Sequence, residues 1–258
     1  MSFGPSLRFD AYTFLTVAPS GEIYVASRPF IGWLDAERNF HIVEGAVARI
    51  GARIDPAGYS GDGGPAVRAR LNIPRGPAVD ATGAVFFADS GNSVVRMIAR
   101  DGTIATVAGN GKRGYSGEGA PATSATLFAP AAVAVSPDGS LYIADTNNHR
   151  VRRVDHGGNI ATIAGTGDPG FAGDGGPATL AEIDTPLGLA FDSHANLYIA
   201  DSGNNRVRKV SADGSIKTVA GNGDPRMLSA PSAVAIDPAD VLYVADPGNH
   251  RISKLSGG

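Results

Sequence analysis

Short apolar runs of four to six residues, separated by breaks rich in Gly, Pro, Asp and Asn, follow one another along almost the whole chain. One of these runs recurs nearly unchanged. Leu141–Asp145 reads Leu-Tyr-Ile-Ala-Asp and returns as Leu197–Asp201, as Leu242–Asp246 with Val in third place, and as Val85–Asp89 with aromatic variants. A worn copy, Ile23–Ser27, ends in Ser. Steps from Ser27 through the four aspartates are 62, 56, 56 and 45 residues. A fixed period of this size marks an array whose units stack on their neighbours.

The third unit shows what one repeat predicts. Ala132–Val135 is a short apolar strand closed by Ser136-Pro137-Asp138-Gly139, with Pro pre-set for a turn and Gly free to take the angles other residues resist. A second strand follows over Leu141–Asp145 and turns at Asp145-Thr146-Asn147-Asn148. Third and fourth strands are read at 150–154 and 160–164. Four antiparallel strands per unit predict an all-β fold, a β-propeller of four-stranded antiparallel blades. Alternation of apolar and polar residues is weak here, as burial on both faces of a blade requires. A solenoid is the competing repeat fold, but its coils are shorter and lack four hairpin-spaced strands.

The unit Pro-x-x-Val-Ala-x-(turn)-Gly-x-Leu-Tyr-Ile-Ala-Asp-x-x-Asn-x-Arg-Val-x-x-Val resembles the NHL repeat. The match is close at Asn148-His149-Arg150-Val151 and Asn249-His250-Arg251-Ile252; Asn204-Asn205-Arg206-Val207 is similar, and Asn92-Ser93-Val94-Val95 lacks both His and Arg. The resemblance implies a β-propeller and no particular reaction. It covers one domain over residues 1–258, with units at about 12–73, 74–129, 130–185, 186–230 and 231–258. Inner strands are expected near 14–17, 77–80, 132–135, 187–191 and 233–236. Five blades are visible, either closed on themselves or part of a six-bladed ring of the kind common in that family. The last unit ends after its third strand, and Leu7, Phe9 and Ala11 alternate with Arg8 and Asp10 in a way that suits a borrowed edge strand.

Composition narrows the partners. With 35 Gly and 17 Pro, turns are frequent and helix has little room. A net charge of -3 gives no field that draws nucleic acid or anionic lipid, and no apolar stretch approaches a bilayer-spanning length. Met1 to Ser20 carries no basic cluster followed by an apolar segment, so no secretory signal is read in this chain. Cysteine is absent, which fits either a cytoplasmic or an extracytoplasmic location.

The most conspicuous insertion joins the fourth strand of one blade to the first of the next. It reads Gly58-Tyr59-Ser60-Gly61-Asp62, then Gly114-Tyr115-Ser116-Gly117-Glu118, then Gly170-Phe171-Ala172-Gly173-Asp174, and is deleted before the fifth unit. Strand direction places these loops on one face with the Asp-x-x-Asn turns. Tyr59, Asp62, Tyr115, Glu118, Phe171 and Asp174, with Asn148 and His149 of a neighbouring turn, form the candidate partner-binding rim. The competing reading makes the aromatic an inter-blade packing group and the acid a loop brace, and repetition in every blade favours it. Asp89, Asp145, Asp201 and Asp246 are read as turn residues rather than calcium ligands.

Chemistry finds little purchase. Two G-x-G-x-x-G matches, from Gly109 and Gly165, are followed by more glycines rather than a helix, so they are not dinucleotide fingerprints. Five His show no i,i+4 metal spacing, and no G-x-S-x-G elbow is present. Basic residues on third strands, Arg150, Arg152, Arg153, Arg206, Arg208, Lys209, Arg251 and Lys254, read as solvated or ion-paired surface rather than an RNA groove. Ser27 and Arg28 to Leu34 make blade one the odd copy, read as a cap. The function expected is a non-enzymatic scaffold binding protein, peptide or glycan through one loop-rich face, with no cofactor. The alternative is a metal-dependent propeller enzyme, a lyase or lactonase-like hydrolase, using Ca or Zn at the central channel.

Overall fold

The structure is a computed structural model that describes residues 14–18, 23–27, 30–34, 40–44 and 58–255. These residues form five antiparallel sheets joined by turns and single-turn 3₁₀ segments. Blade one holds β1 (Phe14–Val17), β2 (Ile23–Ser27), β3 (Phe30–Leu34) and β4 (Phe40–Glu44). Blade two holds β5 (Pro74–Val79), β6 (Val85–Asp89), β7 (Val94–Ile98) and β8 (Ile104–Ala108). In blade three a two-residue strand β9 (Ala120–Pro121) precedes β10 (Ala132–Val135), β11 (Leu141–Asp145), β12 (Arg150–Val154) and β13 (Asn159–Ala164). Blade four holds β14 (Pro186–Phe191), β15 (Leu197–Asp201), β16 (Arg206–Val210) and β17 (Ile216–Ala220). Blade five holds β18 (Ala233–Ile236), β19 (Leu242–Asp246) and β20 (Arg251–Leu255). Each sheet runs in chain order from inside to outside, and β9 adds to the outer edge of β13.

The inner strands β1, β5, β10, β14 and β18 lie side by side in that order, which makes the array a propeller. Inner strand β5 starts at Pro74, earlier than the apolar run suggested, because Arg75 and Ala78 flank a bulge. Gly76 of β5 and Gly188 of β14 let successive inner strands approach closely: a Cβ there would stand 2.4 Å from Ala132 or 2.7 Å from Ala233. Larger side chains fill the space farther out: Phe87, Ile143 and Ile199 of the second strands are fully buried, as are Ile104, Ile160 and Ile216 of the fourth. The apolar clusters run across blade boundaries, joining Val95 and Ala108 of blade two to Val133 and Ile143 of blade three. No blade would bury these faces alone, so stability is shared between neighbours.

Blade five is the exposed end of the row. Among the described residues it has three strands, and Ile252 is 75% exposed where its counterparts Val95, Val151 and Val207 are fully buried. The proposed edge strand around Leu7, Phe9 and Ala11 lies outside the described residues, as do Arg28 and Pro29 of the odd copy.

Candidate functional site

One small device, repeated three times, organises the rim. In every complete blade the pairing of third and fourth strands slips at the same point, after Ile31, Val95, Val151 and Val207. A bulge re-aims the residue beside it. In blades two, three and four that residue is Arg96, Arg152 or Arg208, and all three side chains are fully buried. Each guanidinium meets two carboxylates. The inner one is the second-strand aspartate: Asp89 at 3.5 Å, Asp145 at 3.6 Å, Asp201 at 3.5 Å. The outer one belongs to the inserted loop: Asp62 at 2.6 Å, Glu118 at 3.1 Å, Asp174 at 2.7 Å.

This revises the reading of the third-strand bases. Arg152 and Arg208 are core ion pairs rather than surface charge, and Asp89 has its arginine at Arg96, two residues beyond Val94. An arginine suits this position because its planar fork serves two anions at once. The position faces Phe87, Ile143 and Ile199 across the ladder, where an unpaired charge would be very costly.

The inner aspartates are fully engaged. Oδ1 accepts the backbone N–H of Asn72, Phe128, Asp184 or Ser229, which fixes the segment leading into each blade's first strand. Asn92, Asn148, Asn204 and Asn249 donate to these same carboxylates. Three of them also donate to a loop carbonyl, Gly58, Gly114 or Gly170, at 2.6–2.8 Å. Loop and turn are thereby locked on one face, as strand direction required. Burial pushes Asp89 and Asp145 up to about 6, and raises Asp201 also, against the opposing pull of Asn, backbone N–H and Arg. Asp246 has the same kinds of donor but sits below the usual carboxylate range. Burial still acts to raise it, yet fewer atoms crowd it in blade five, so Asn249, Ser229 and Arg251 prevail.

The loop straps two blades together. Gly119 donates to Ile160 O and Ala122 to Gly158 O, so the loop adds a strand to the edge of its own blade. Ala122 and Ala125 carbonyls accept from Gly109 and Asn110 at the end of the previous blade. Gly61, Gly117 and Gly173 permit the approach: with φ of 103°, 92° and 90°, a Cβ there would stand 2.6–2.8 Å from Ala69, Ala125 or Ala181.

The aromatic rings lie over the arginines. Tyr115 covers Arg150 and Arg152, with 3.7 and 4.9 Å from guanidinium to ring centroid; Phe171 covers Arg206 and Arg208 at 3.5 and 4.8 Å; Tyr59 lies 5.1 Å from Arg96. Tyr59 Oη pairs with Thr106 Oγ1 at 2.8 Å and Tyr115 Oη donates to Glu118 Oε1 at 2.9 Å. Burial tends to raise Glu118, but Thr162, Tyr115 and Arg152 together hold it below the ordinary carboxylate range. These rings still present an outer surface: Tyr59, Tyr115 and Phe171 are 46%, 41% and 39% exposed.

Asn148 and His149 have a different place. Asn148 is buried between Asp145 and Gly114. His149 is in the left-handed region at φ 50°, and its Nδ1 accepts the N–H of Thr185 in the next blade, with Asp184 3.2 Å away. Ser93 and Asn205 make the equivalent link to Ala129 and Ala230. So the structure brings together Tyr59 with Asp62, Tyr115 with Glu118, and Phe171 with Asp174, each pair on one buried arginine, and turns Asn148 and His149 into the fold. Sequence reasoning missed the arginines as the hub. Their signal was present: Arg96, Arg152 and Arg208 are 56 apart and each follows its loop acid by 34 residues. Among the described residues no three of His, Cys, Asp and Glu are grouped closely enough to hold a metal ion.

Known proteins agree with this architecture. The teneurin NHL domain model matches residues 28–115, and the NHL repeat model matches 129–154 and 228–255. Teneurin-m of Drosophila melanogaster is 33% identical over 192 residues, and teneurin-1 of Mus musculus 30% over 258. These alignments cover 68% and 69% of this chain but only 7% and 9% of those proteins. Among solved structures, virginiamycin B lyase from Staphylococcus aureus aligns with a TM-score of 0.58 at 16% identity, over 94% of this chain and 66% of that one. An auxiliary nutrient binding protein from Bacteroides ovatus gives 0.61 at 16% identity, over 96% and 69%. At such identities the likeness is one of fold. Repeats, sheets and family models converge: this chain belongs to the NHL-repeat β-propeller family.

Proposed function

We propose that this propeller is a rigid platform that binds a protein or peptide partner through the rim carrying Tyr59, Tyr115 and Phe171. The observation that carries this reading is the conjunction of exposure and rigidity. Three adjacent blades each present an aromatic edge to solvent while the ring's inner face is held on arginine. Large amphipathic rings that are already immobile lose little entropy on binding, which is why aromatic anchors dominate interface energetics. The acids beside them are committed to Arg96, Arg152 and Arg208, so they brace the surface rather than act on a substrate.

The structural neighbours include proteins named as a lyase, a nutrient-binding protein and a gluconolactonase, which span chemistry and binding alike. The rim, not those names, supports the platform reading. Its test is selection of a displayed random-peptide library on the protein. The selected binders should lose at least roughly tenfold in affinity on a Tyr59→Ala/Tyr115→Ala/Phe171→Ala variant of unchanged Tm, as expected for hot-spot aromatics. Binders that ignore all three substitutions would overturn the assignment of the rim.

A further inference from the structure

The three rim loops are near-copies, so what they share cannot tell one blade from the next. A partner held only by Tyr59, Tyr115 and Phe171 could shift by one blade at little cost. Its register has to come from the positions where the copies differ. One such position lies against each loop: residues 70, 126 and 182 are 56 apart. Arg70 faces Ser60 across an isolated bridge, and its side chain runs along Gly58, where a Cβ would stand 3.1 Å from Arg70 Cδ. Thr126 donates to Ser116 Oγ at 3.0 Å. Glu182 donates its backbone N–H to Ala172 O, and its carboxylate lies against Gly170. The neighbour of the ring loop is therefore cationic at Tyr59, neutral at Tyr115 and anionic at Phe171.

The turn leading into the ring differs in the same sense, reading Lys112-Arg113 before Tyr115 and Asp168-Pro169 before Phe171. Arg70, Lys112, Arg113 and Asp168 are exposed and Glu182 is half-buried, and none of the five forms an ion pair among the described residues. The charges common to the blades are spent inside: Asp62, Glu118 and Asp174 on the buried arginines, Arg150 on Thr166 O and Arg206 on Asn222 O. The ring itself also changes. Tyr59 and Tyr115 pair their hydroxyls with Thr106 and Thr162, whereas Thr218, the counterpart in blade four, has a buried Oγ1 with no partner among the described residues. A tyrosine in place of Phe171 would serve the fold better, since an unpaired buried hydroxyl is costly. Phe171 departs from that local rule at the surface, where departures mark binding rather than folding.

Building on the platform reading above, we propose that the rim takes its partner in a single register. The partner is a protein segment that is acidic where it crosses blades two and three, basic where it reaches blade four, and apolar where it meets the three rings. The rings carry the affinity, and the unpaired charges decide which blade meets which residue. The cationic stretch is local, set on a chain whose net charge is -3, so it selects an acidic segment without drawing polyanions to the whole surface.

Peptides selected from the displayed library for dependence on the three rings are the probe, labelled and titrated by fluorescence anisotropy. They should carry acids toward one end and bases toward the other. On an Arg70→Glu/Lys112→Glu/Arg113→Glu variant they should bind roughly tenfold more weakly in about 50 mM salt. The loss should shrink in roughly 0.5 M salt, where screening confines charge effects to a few ångströms. Exchanging the acids of a peptide for lysines should restore its binding to the reversed variant, a rescue that damage to the fold would not allow. If the triple variant does not keep its Tm, Lys112→Glu/Arg113→Glu in the exposed turn carries the same test. Ring-dependent peptides that bind the intact and reversed proteins equally, or that are not rescued, would overturn the register and leave the platform standing. A library that yields no ring-dependent peptide would overturn the platform reading, and the register with it.

Discussion

Replacing Arg152 by Leu removes the hub of one clamp while leaving apolar bulk in its place. Arg152 is fully buried between Asp145, which is equally buried, and Glu118, which is about half exposed. Glu118 then simply returns to water. Asp145 has no such exit, and is left with Asn148 and the Phe128 N–H as its donors. Breaking a buried pair by removing one partner costs about 3–5 kcal/mol. Part of that deficit must depend on pH. In the intact protein burial already pushes Asp145 up to about 6 from 3.8; without the arginine its pKa rises further. At pH 7 the variant takes up a proton that the intact protein does not, and its stability then climbs on acidification. Below about 6 the intact protein takes up the same proton, so the two curves run parallel. The deficit should therefore close by about 1.4 kcal/mol between pH 7 and pH 5, one pKa unit's worth, and then level off. Urea titrations followed by circular dichroism, at half-unit pH steps, measure this. Adding Asp145→Asn to the Leu variant should recover much of the loss at pH 7 and flatten the pH dependence. A deficit below 1 kcal/mol, or one that is unchanged or grows from pH 7 to pH 5, would refute the assignment of Asp145 as the stranded charge. Glu118→Gln is the internal control: its exposure limits its cost to about 0–1 kcal/mol.

Three further outcomes follow from the same geometry. In the intact protein the folded state holds Asp89, Asp145 and Asp201 at pKa values above their unfolded ones, so it binds protons that the unfolded chain does not between pH 6 and 4. Stability should rise over that acidification and fall only lower, where Asp138, Asp224 and Asp237, all held below the ordinary range, become protonated; a urea midpoint that drops steadily from pH 7 to 4.5 would contradict this. Gly173→Ala meets both φ of 90° and the Ala181 backbone at 2.7 Å, whereas Gly175→Ala meets φ of 86° and open space. The first should cost about 2–3 kcal/mol and the second about 1, and equal losses would show that crowding at the strap is not felt. Val151→Asp should unfold blade three, while Ile252→Asp, at an exposed copy of the position, should shift Tm by no more than about 2 °C; thermal melts of the two proteins compare them.

How much could be read in advance depended on whether a feature repeats locally or spans distant residues. Strands, turns and blade boundaries are local, and the Leu-Tyr-Ile-Ala-Asp run places them to within a few residues. Even the loop's role as a brace follows from its recurrence. The clamp was harder because its members are 34 and 7 residues apart and meet only through a bulge, which shifts register without leaving a mark in composition. Charge misled as well. An Arg-x-Arg on an outer strand reads as surface, and only the register Ile143↔Arg152 shows that the second arginine faces inward. His149 was singled out for its place in the motif, yet its ring nitrogen serves an inter-blade hydrogen bond that becomes visible only when the next blade is in position.

The array also contains its own comparison between blades that have the clamp and blades that lack it. Where the inserted loop is present, before blades two, three and four, the bulge position holds a buried arginine. Where it is deleted, before blade five, that position is Ser253 opposite Val244, and in blade one it is Gly32 opposite Val25. Across blades two to five, loop and arginine are kept or lost together. That is what the energetics demand, because a guanidinium at this depth with only the second-strand aspartate would have one anion too few, and a loop acid without the guanidinium would have no anchor. Blade five meets the same need differently: Arg251, two residues earlier and half exposed, pairs with Asp246 at 2.9 Å. In blades two to five the second-strand aspartate is thus the constant element, fixing the segment that leads into the inner strand, and the loop with its arginine is a detachable addition. Because that addition carries the exposed aromatics, the rim can be extended blade by blade without disturbing the inner strands.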